Sequence, residues 1–442
     1  MIILKFGGTS VMNASAMKQV LECIKLTGEK KCLVLLSAVS GVTDSLLEAA
    51  GLSVSELPQS LNIIKKLRLL HLSILNDLID SAPVKEVSTI NDIFAELTDK
   101  LTAFNTLGEL TPQNIDSVQS CGELLSTTIF SSYLEHLKIK SVWFDIRNII
   151  KTDSNFTNAG INFDLSSAAL SRYSEIFKSE KIIISQGFIA SDNKGRTTTI
   201  GRGGSDYSAA LMGKMLKHNG IDVDEIQIWT DVDGVLSADP RIVTEAVTIK
   251  TMTSSEIRTL SYLGAKVLHP DTIKPAVSSN ISVRVLNTFN PESPGTLISN
   301  DLVNSTYCVH SVIRINDCFE LSFTAESVIS SWVLMQKILN IADSGKCNAV
   351  YSSAEENSAV LYFRNNPHLF LESKFAESIT VRNCSLIALV GSDLKALTPQ
   401  IYEISSEMGM EISGMSDSVV YLKSYNNISN EMLIKIHNKI IK

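Results

Sequence analysis

Short apolar runs alternate with longer amphipathic stretches through most of this chain. Ile2-Ile3-Leu4, Cys32-Leu33-Val34-Leu35-Leu36 and Ile182-Ile183-Ile184 are too short and too uniformly apolar for amphipathic helices. Each runs into Gly, Ser or Thr, so they predict buried strands. Further strands are expected near Ser141 to Phe144, Lys181 to Ser185, Glu225 to Thr230 and Ser282 to Leu286. Between Ser53 and Asp80 and between Val84 and Phe104, apolar residues recur at three- and four-residue spacing, which predicts helices punctuated by Pro58 and Pro83. Leu67, Leu70, Leu75 and Leu78 are the expected core positions there. Strands alternating with helices predict an α/β fold, a mainly parallel sheet sandwiched by helices.

The rhythm changes after TFNPESPGTLISND, Thr288 to Asp301, where Pro, Gly, Asn and Ser cluster. A domain over 1–290 and a linker over 291–306 are expected. Two similar units follow. The first has a strand over Cys318 to Phe323, a helix over Val328 to Ser344, and a paired Cys347 to Ser352 and Ala359 to Phe363. The second has a strand over Ser385 to Val390, a helix over Thr398 to Gly409, and a paired Glu411 to Gly414 and Ser418 to Leu422. A last helix is expected over Asn430 to Ile441.

Candidate chemistry sits where strands end. In SQGFIASDNKGRTTTIGRGGSDYSAA, Ser185 to Ala210, a polar loop leads through Gly201-Arg202-Gly203-Gly204-Ser205-Asp206 into a helix. Glycines let backbone N–H groups approach an anion, and a helix N-terminus favours negative charge. Arg202 offers a fork for carboxylate or phosphate. Ser205 and Asp206 are natural caps, so a capped helix after a loop explains the same residues. In MIILKFGGTS, Lys5-Phe6-Gly7-Gly8-Thr9-Ser10 lies at a strand's carboxyl end, where ligands gather in open α/β sheets. LSAVSGVTD with Ser37, Gly41 and Thr43, SCGELLST with Glu123, WTDVDGVLSADPR with Thr230, Asp231 and Arg241, and YLGAKVLHP with Lys266 and His269 repeat the arrangement. Each alone reads equally as a turn or cap.

Taken together and in this order, these segments resemble the motif set of aspartate kinases, in the amino acid kinase superfamily, over roughly the first 300 residues. The resemblance implies transfer of phosphate from ATP, with Mg²⁺, to the side chain of L-aspartate, giving 4-phospho-L-aspartate. This is the first step toward lysine (through diaminopimelate), threonine and methionine. It implies Lys5, Asp206 and Lys266 as catalytic residues. It places Thr43, Glu123, Arg202, Gly203, Gly204 and Ser205 around aspartate. For the nucleotide it implies Lys5, Phe6, Gly7, Gly8, Thr9, Ser37, Thr230, Asp231, Leu236, Arg241, Lys266 and Val267. No protein metal ligands are implied. Leu236 replaces the Tyr usual in this family's GVYTADPR segment.

The C-terminal rhythm resembles two ferredoxin-like ACT domains, the family's regulatory modules. The resemblance implies that a first unit over about 317–383 is inserted in a second, 307–316 plus 384–442. It implies a homodimer or larger homo-oligomer, with lysine or threonine as candidate effectors. Ala325-Glu326-Ser327-Val328 and Ser352 to Ser358 depart from the family's effector-contacting pattern, so a purely dimer-forming role is the alternative.

Composition narrows the reading. A net charge of −8 argues against a nucleic-acid binder. No apolar run approaches the roughly 20 residues that span a bilayer. The chain starts directly in a strand, so no signal peptide is expected. Seven cysteines without a CxxC pair fit reduced thiols and a cytoplasmic protein.

Overall fold

The computed structural model describes residues 1–80, 84–201, 203–264, 268, 270–299, 308–324, 332–333, 335–340, 349–354, 358–365 and 379–441. Arg202, Lys266, Val267, His269 and Cys347 lie outside them, as does most of the helix expected over Val328 to Ser344. The chain forms two compact units, Met1–Val235 with Leu268–Asn300, and Leu236–Val267 with Asp301–Lys442. No described helix is long and apolar enough to cross a membrane.

In the first unit the main sheet contains β1 (Ile2–Phe6), β2 (Cys32–Leu36), β3 (Val142–Trp143), β5 (Ile182–Gln186), β8 (Glu225–Thr230), β10 (Ser282–Asn287) and β11 (Thr296–Ile298). They lie in the order β3-β5-β2-β1-β8-β10-β11. All neighbours pair in parallel except the antiparallel β10–β11 edge. Every residue of β1, β2 and β5 is buried, as strands covered on both faces require. The register matters more than the order. Phe6 pairs with Leu36 and Trp229, and Leu36 pairs with Gln186. Four strands therefore end at one level, and the turns after them open on one edge. A small sheet of β4 (Lys151–Thr152), β6 (Ile189–Asp192) and β7 (Thr197–Thr199) lies beside that edge in sequence and was not expected from the pattern.

The predicted helices are present at Leu57–Leu78 and Val84–Leu107. Their buried faces join one large core through Ile64, Leu67, Ile74, Leu75 and Leu78, and through Ile90, Phe94, Leu97, Leu101 and Phe104. Leu70 corrects the expectation, because it is 38% exposed. At 100° per residue it stands about 70° from the centre of the face that Leu67, His71, Ile74 and Leu78 define.

In the second unit β9 (Thr251–Met252) precedes the helix Ser254–Tyr262. An antiparallel sheet follows, β13 (Ala349–Ala354), β14 (Ser358–Phe363), β12 (Cys308–Thr324), β15 (Ile379–Ser392), β17 (Val419–Ser424) and β16 (Glu411–Met415), in that spatial order. Helices Thr398–Glu407 and Asn430–Ile440 accompany it. The sequence pattern suggests separate strands for the two repeats, but β12 and β15 run continuously through both. The β12–β15 register shifts between Ile315 and Cys318, where Asp317 takes φ 57°. On one side of the shift Val312, Ile387, Leu389, Ile401 and Leu433 share a core, and on the other Leu321, Phe323, Ile338, Leu361 and Phe363 share another. A bulge of this kind re-aims a strand without ending it.

Phe94 is 2% exposed and its ring lies 5.6 Å from that of His71. Phe94→Ala should cost about 3–5 kcal/mol in urea titration followed by circular dichroism. Leu70→Ala should stay within about 0.5 kcal/mol of the parent.

Candidate active site

The common edge of β1, β2, β5 and β8 opens on a cavity of about 550 Å³. Lys5 reaches it from β1, and Gly7, Gly8 and Thr9 follow in the turn. Gly7 N–H donates to the Trp229 carbonyl at 3.2 Å, and Ser40 N–H donates to the Gly8 carbonyl at 3.2 Å. These bonds tie the turn after β1 to the end of β8 and to the turn after β2. A Cβ on Gly8 would stand 2.9 Å from the Ala38 carbonyl oxygen, so only glycine fits without backbone movement. Phe6 points the other way, fully buried and stacked on Trp229 with centroids 5.7 Å apart.

The opposite wall is the start of the helix Gly204–His218. Gly203 takes φ 70° at its N-cap, a left-handed conformation that glycine adopts without strain. Ser205 and Asp206 then face the cavity. Ser37 Oγ donates to Ser205 Oγ at 3.0 Å. Lys5 Nζ lies 2.6 Å from Asp206 Oδ1, with side chains only 11% and 16% exposed. Asp206 therefore balances the lysine charge and fixes its direction. The polar segment before the helix is anchored at a distance. Asp116, fully buried, accepts from the Thr199 amide at 3.0 Å and hydroxyl at 2.7 Å. Asp192 accepts from Arg196, and these bonds outweigh its burial and hold its carboxyl at about 2.

A third element is the helix Cys121–His136, whose first turn carries Glu123. Glu123 is 3% exposed, and its Oε1 accepts from the Ala38 amide at 3.2 Å. Oε2 is buried and has no hydrogen-bond partner. Burial pushes this carboxyl up to about 8, against the pull of its backbone bonds.

The structure thus brings Lys5, Gly7, Gly8, Thr9, Ser37, Thr43, Glu123, Gly203, Gly204, Ser205, Asp206, Thr230 and Asp231 around one cavity. Thr230 Oγ1 donates to Asp231 Oδ1 at 3.1 Å. Leu236 and Arg241 belong to the second unit, where Leu236 bridges to Thr248 and the exposed Arg241 pairs with Asp239 at 2.7 Å. Sequence reasoning left out Ser40, Asp44 and Phe188, which also line the cavity. Phe188 has φ 66°, uncommon for a bulky residue, and only its place just after a strand end could have flagged it.

A lysine balanced by an acidic group, an unpartnered carboxyl and two glycine turns thus share one cavity. A family model described as "Amino acid kinase family" matches residues 1–287. The chain belongs to the amino acid kinase family. It is 36% identical over 310 residues to lysine-sensitive aspartokinase 3 of Escherichia coli (strain K12), across 69% of this chain and 65% of that protein. It therefore spans just under two thirds of that relative's length. Two solved structures of E. coli aspartokinase III align over 100% of both chains. One, in complex with lysine and aspartate in the T-state, has a TM-score of 0.80 at 27% identity. The other, in complex with aspartate and ADP in the R-state, has 0.78 at 26%.

The raised Glu123 carboxyl sets a sign for stability in this family member. Between about pH 4.3, where an unfolded Glu ionises, and about pH 8, the folded state holds a proton that the unfolded state has lost. Ligand-free stability should therefore fall as pH rises through that window. Glu123→Gln should remove the decline, melting above the parent at pH 8 and converging with it near pH 4.5. Thermal melts at both pH values check this.

Proposed function

We propose that this chain is an aspartate kinase, transferring the γ-phosphoryl group of ATP to the side-chain carboxylate of L-aspartate. The products are ADP and 4-phospho-L-aspartate, the first step of aspartate-family amino-acid synthesis. Glu123 carries the reading. A buried carboxyl with one oxygen unpartnered is costly unless a cation meets it, and the ammonium of an amino acid is such a cation. It opens on the same cavity as Lys5 and the glycine turns.

The chemistry asks little of a base. The attacking carboxylate has a reference pKa of about 3.9 and is ionised at neutral pH. One of its oxygens bonds to the γ-phosphorus while the bond to the β–γ bridging oxygen breaks, and ADP leaves with that electron pair. The obstacle is bringing an anion to a polyanion, so positioning and charge neutralisation dominate. In this reading Lys5 neutralises the transferring group and Asp206 holds Lys5 in place. Gly7 and Gly8 amides with Thr9 and Ser37 meet the phosphates. Glu123 takes the substrate ammonium, and Thr43, Gly203, Gly204 and Ser205 shape its pocket. Arg202 supplies a fork for the α-carboxylate, and Lys266 with Val267 closes on the nucleotide. Thr230 and Asp231 meet the nucleotide at the end of β8.

Mg²⁺ fits the donors present, because Asp206, Thr9 and Ser37 offer the hard oxygens this cation prefers. When bound with ATP it would draw negative charge from the phosphates. The region 1–290 serves catalysis and 307–442 forms tandem regulatory ACT domains, joined by 291–306, with the homodimer made through them. Lysine is the favoured effector, supported by the lysine-bound E. coli relative. A cytoplasmic location accords with the free thiols of Cys23, Cys32, Cys121, Cys308, Cys318 and Cys384.

ATP-dependent hydroxamate formation in Mg²⁺ and hydroxylamine tests the reading. Product with L-aspartate and not L-glutamate is expected, lowered by lysine. Lack of product with aspartate would sink the proposal. Lys5→Ala should lower kcat by about 100-fold or more with the fold intact. Arg202→Ala should raise the aspartate KM about tenfold or more with a smaller change in kcat. The aspartate KM of the parent should fall from pH 6 toward pH 8 as Glu123 ionises, and Glu123→Gln should flatten that profile.

A further inference from the structure

The second unit holds a carboxylate, an imidazole and a thiol in line. Glu256 stands at the third position of the helix Ser254–Tyr262 and is 1% exposed. Its Oε2 accepts from the Thr253 amide at 2.7 Å, completing a capping box, and its Oε1 accepts from Ser392 Oγ on β15 at 2.7 Å. The same Oε1 lies 3.1 Å from His310 Nδ1 on β12, an ion-pair distance without hydrogen-bond alignment. On the ring's far side Nε2 lies 2.9 Å from Cys308 Sγ. Burial disfavours a charged imidazole here, but the thiol and the carboxylate outweigh it and push His310 up to about 10. Among the described residues, Glu256 and Cys308 are the titratable groups that meet the ring, and Ser392 of β15 bonds to Glu256.

Cys308 also differs from the other described cysteines. Cys23, Cys32, Cys121, Cys318 and Cys384 are buried, whereas Cys308 is partly exposed. Burial pushes Cys23 and Cys384 up to about 12, and Cys121 and Cys318 up to about 11. Such thiols are inert, whereas a thiol beside an imidazolium is a nucleophile.

We propose that Cys308 is a thiol–disulfide exchange site for small disulfides, with His310 stabilising the attacking thiolate and Glu256 positioning His310. In the exchange the Cys308 sulfur attacks one sulfur of a disulfide RSSR. A Cys308–S–S–R bond forms, the S–S bond of RSSR breaks, and RS⁻ leaves with the electron pair. The thiol proton passes to solvent, because the ring is already protonated. The added group would stand on the Nε2 side of the His310 ring, away from Glu256. The exchange needs no contribution from the kinase site, so this proposal and the kinase reading fail independently.

The test treats the full chain with glutathione disulfide and maps modified cysteines by mass spectrometry, then follows iodoacetamide alkylation against pH. Cys308 should be modified at least tenfold faster at pH 6.5 than any buried cysteine. Cys308→Ser should abolish the rapid modification. His310→Gln should slow it at least tenfold at pH 6.5 and much less at pH 9.5. Glu256→Gln keeps a residue that completes a capping box and should act the same way, less strongly. Circular dichroism checks each variant's fold. If a variant misfolds, the parent's rate at Cys308 against that of the buried cysteines decides. A Cys308 left unmodified, a rate no faster than that of the buried cysteines, or a rate unchanged in both folded variants overturns the proposal.

Discussion

The in-register parallel pairing of β1 with β2 and β8, and of β2 with β5, governs where every group in the candidate site stands. Phe6, Leu36 and Gln186, which end their strands, lie level with Trp229, one residue short of the end of β8. The turn after β1 is then bonded to the turn after β2 and to the end of β8. In a strand, a slip of one residue turns each side chain to the opposite face. Such a slip in β1 would bury Lys5 where Leu4 or Phe6 belongs and carry its charge away from Asp206. The fully buried β1, β2 and β5 hold the register because both faces of the sheet are covered.

On this frame the electrostatics divide into two halves. Lys5 and Asp206 form a close, largely buried pair, which fixes a cation at the cavity without leaving it uncompensated. Glu123 is the opposite case, a carboxyl kept from water with a single amide bond on one oxygen. It is costly in the folded chain and gains most from a cationic ligand. In the proposed reading the settled cation meets the phosphates of ATP and the unsettled acid meets the ammonium of aspartate. The second unit uses buried charge differently, with Glu256 saturated by Thr253 and Ser392 before it meets His310.

Much of this was legible in the chain. The strands ending at KFGGTS and LSAVSGVTD, the paired long helices and the strand-helix-strand-strand rhythm all follow from local apolar spacing, which needs no knowledge of distant partners. The glycines of the site were visible because turns and close approaches restrict the residue type. Leu70 misled because a three-residue spacing fits two adjacent helical faces, and only packing selects one. The continuous β12 and β15 escaped detection because their apolar pattern breaks at the bulge around Asp317, and a bulge reads locally as a strand end.

The sequence by itself determined most of the elements and the turn chemistry, because each rests on contacts within a few residues. The tertiary structure decided which charges meet. Lys5 faces Asp206 across 201 positions of sequence, Glu123 takes its single bond from Ala38, and Cys308, His310 and Glu256 line up from two separate stretches. Burial and distance set those properties, and both exist only once the sheets have brought remote segments together.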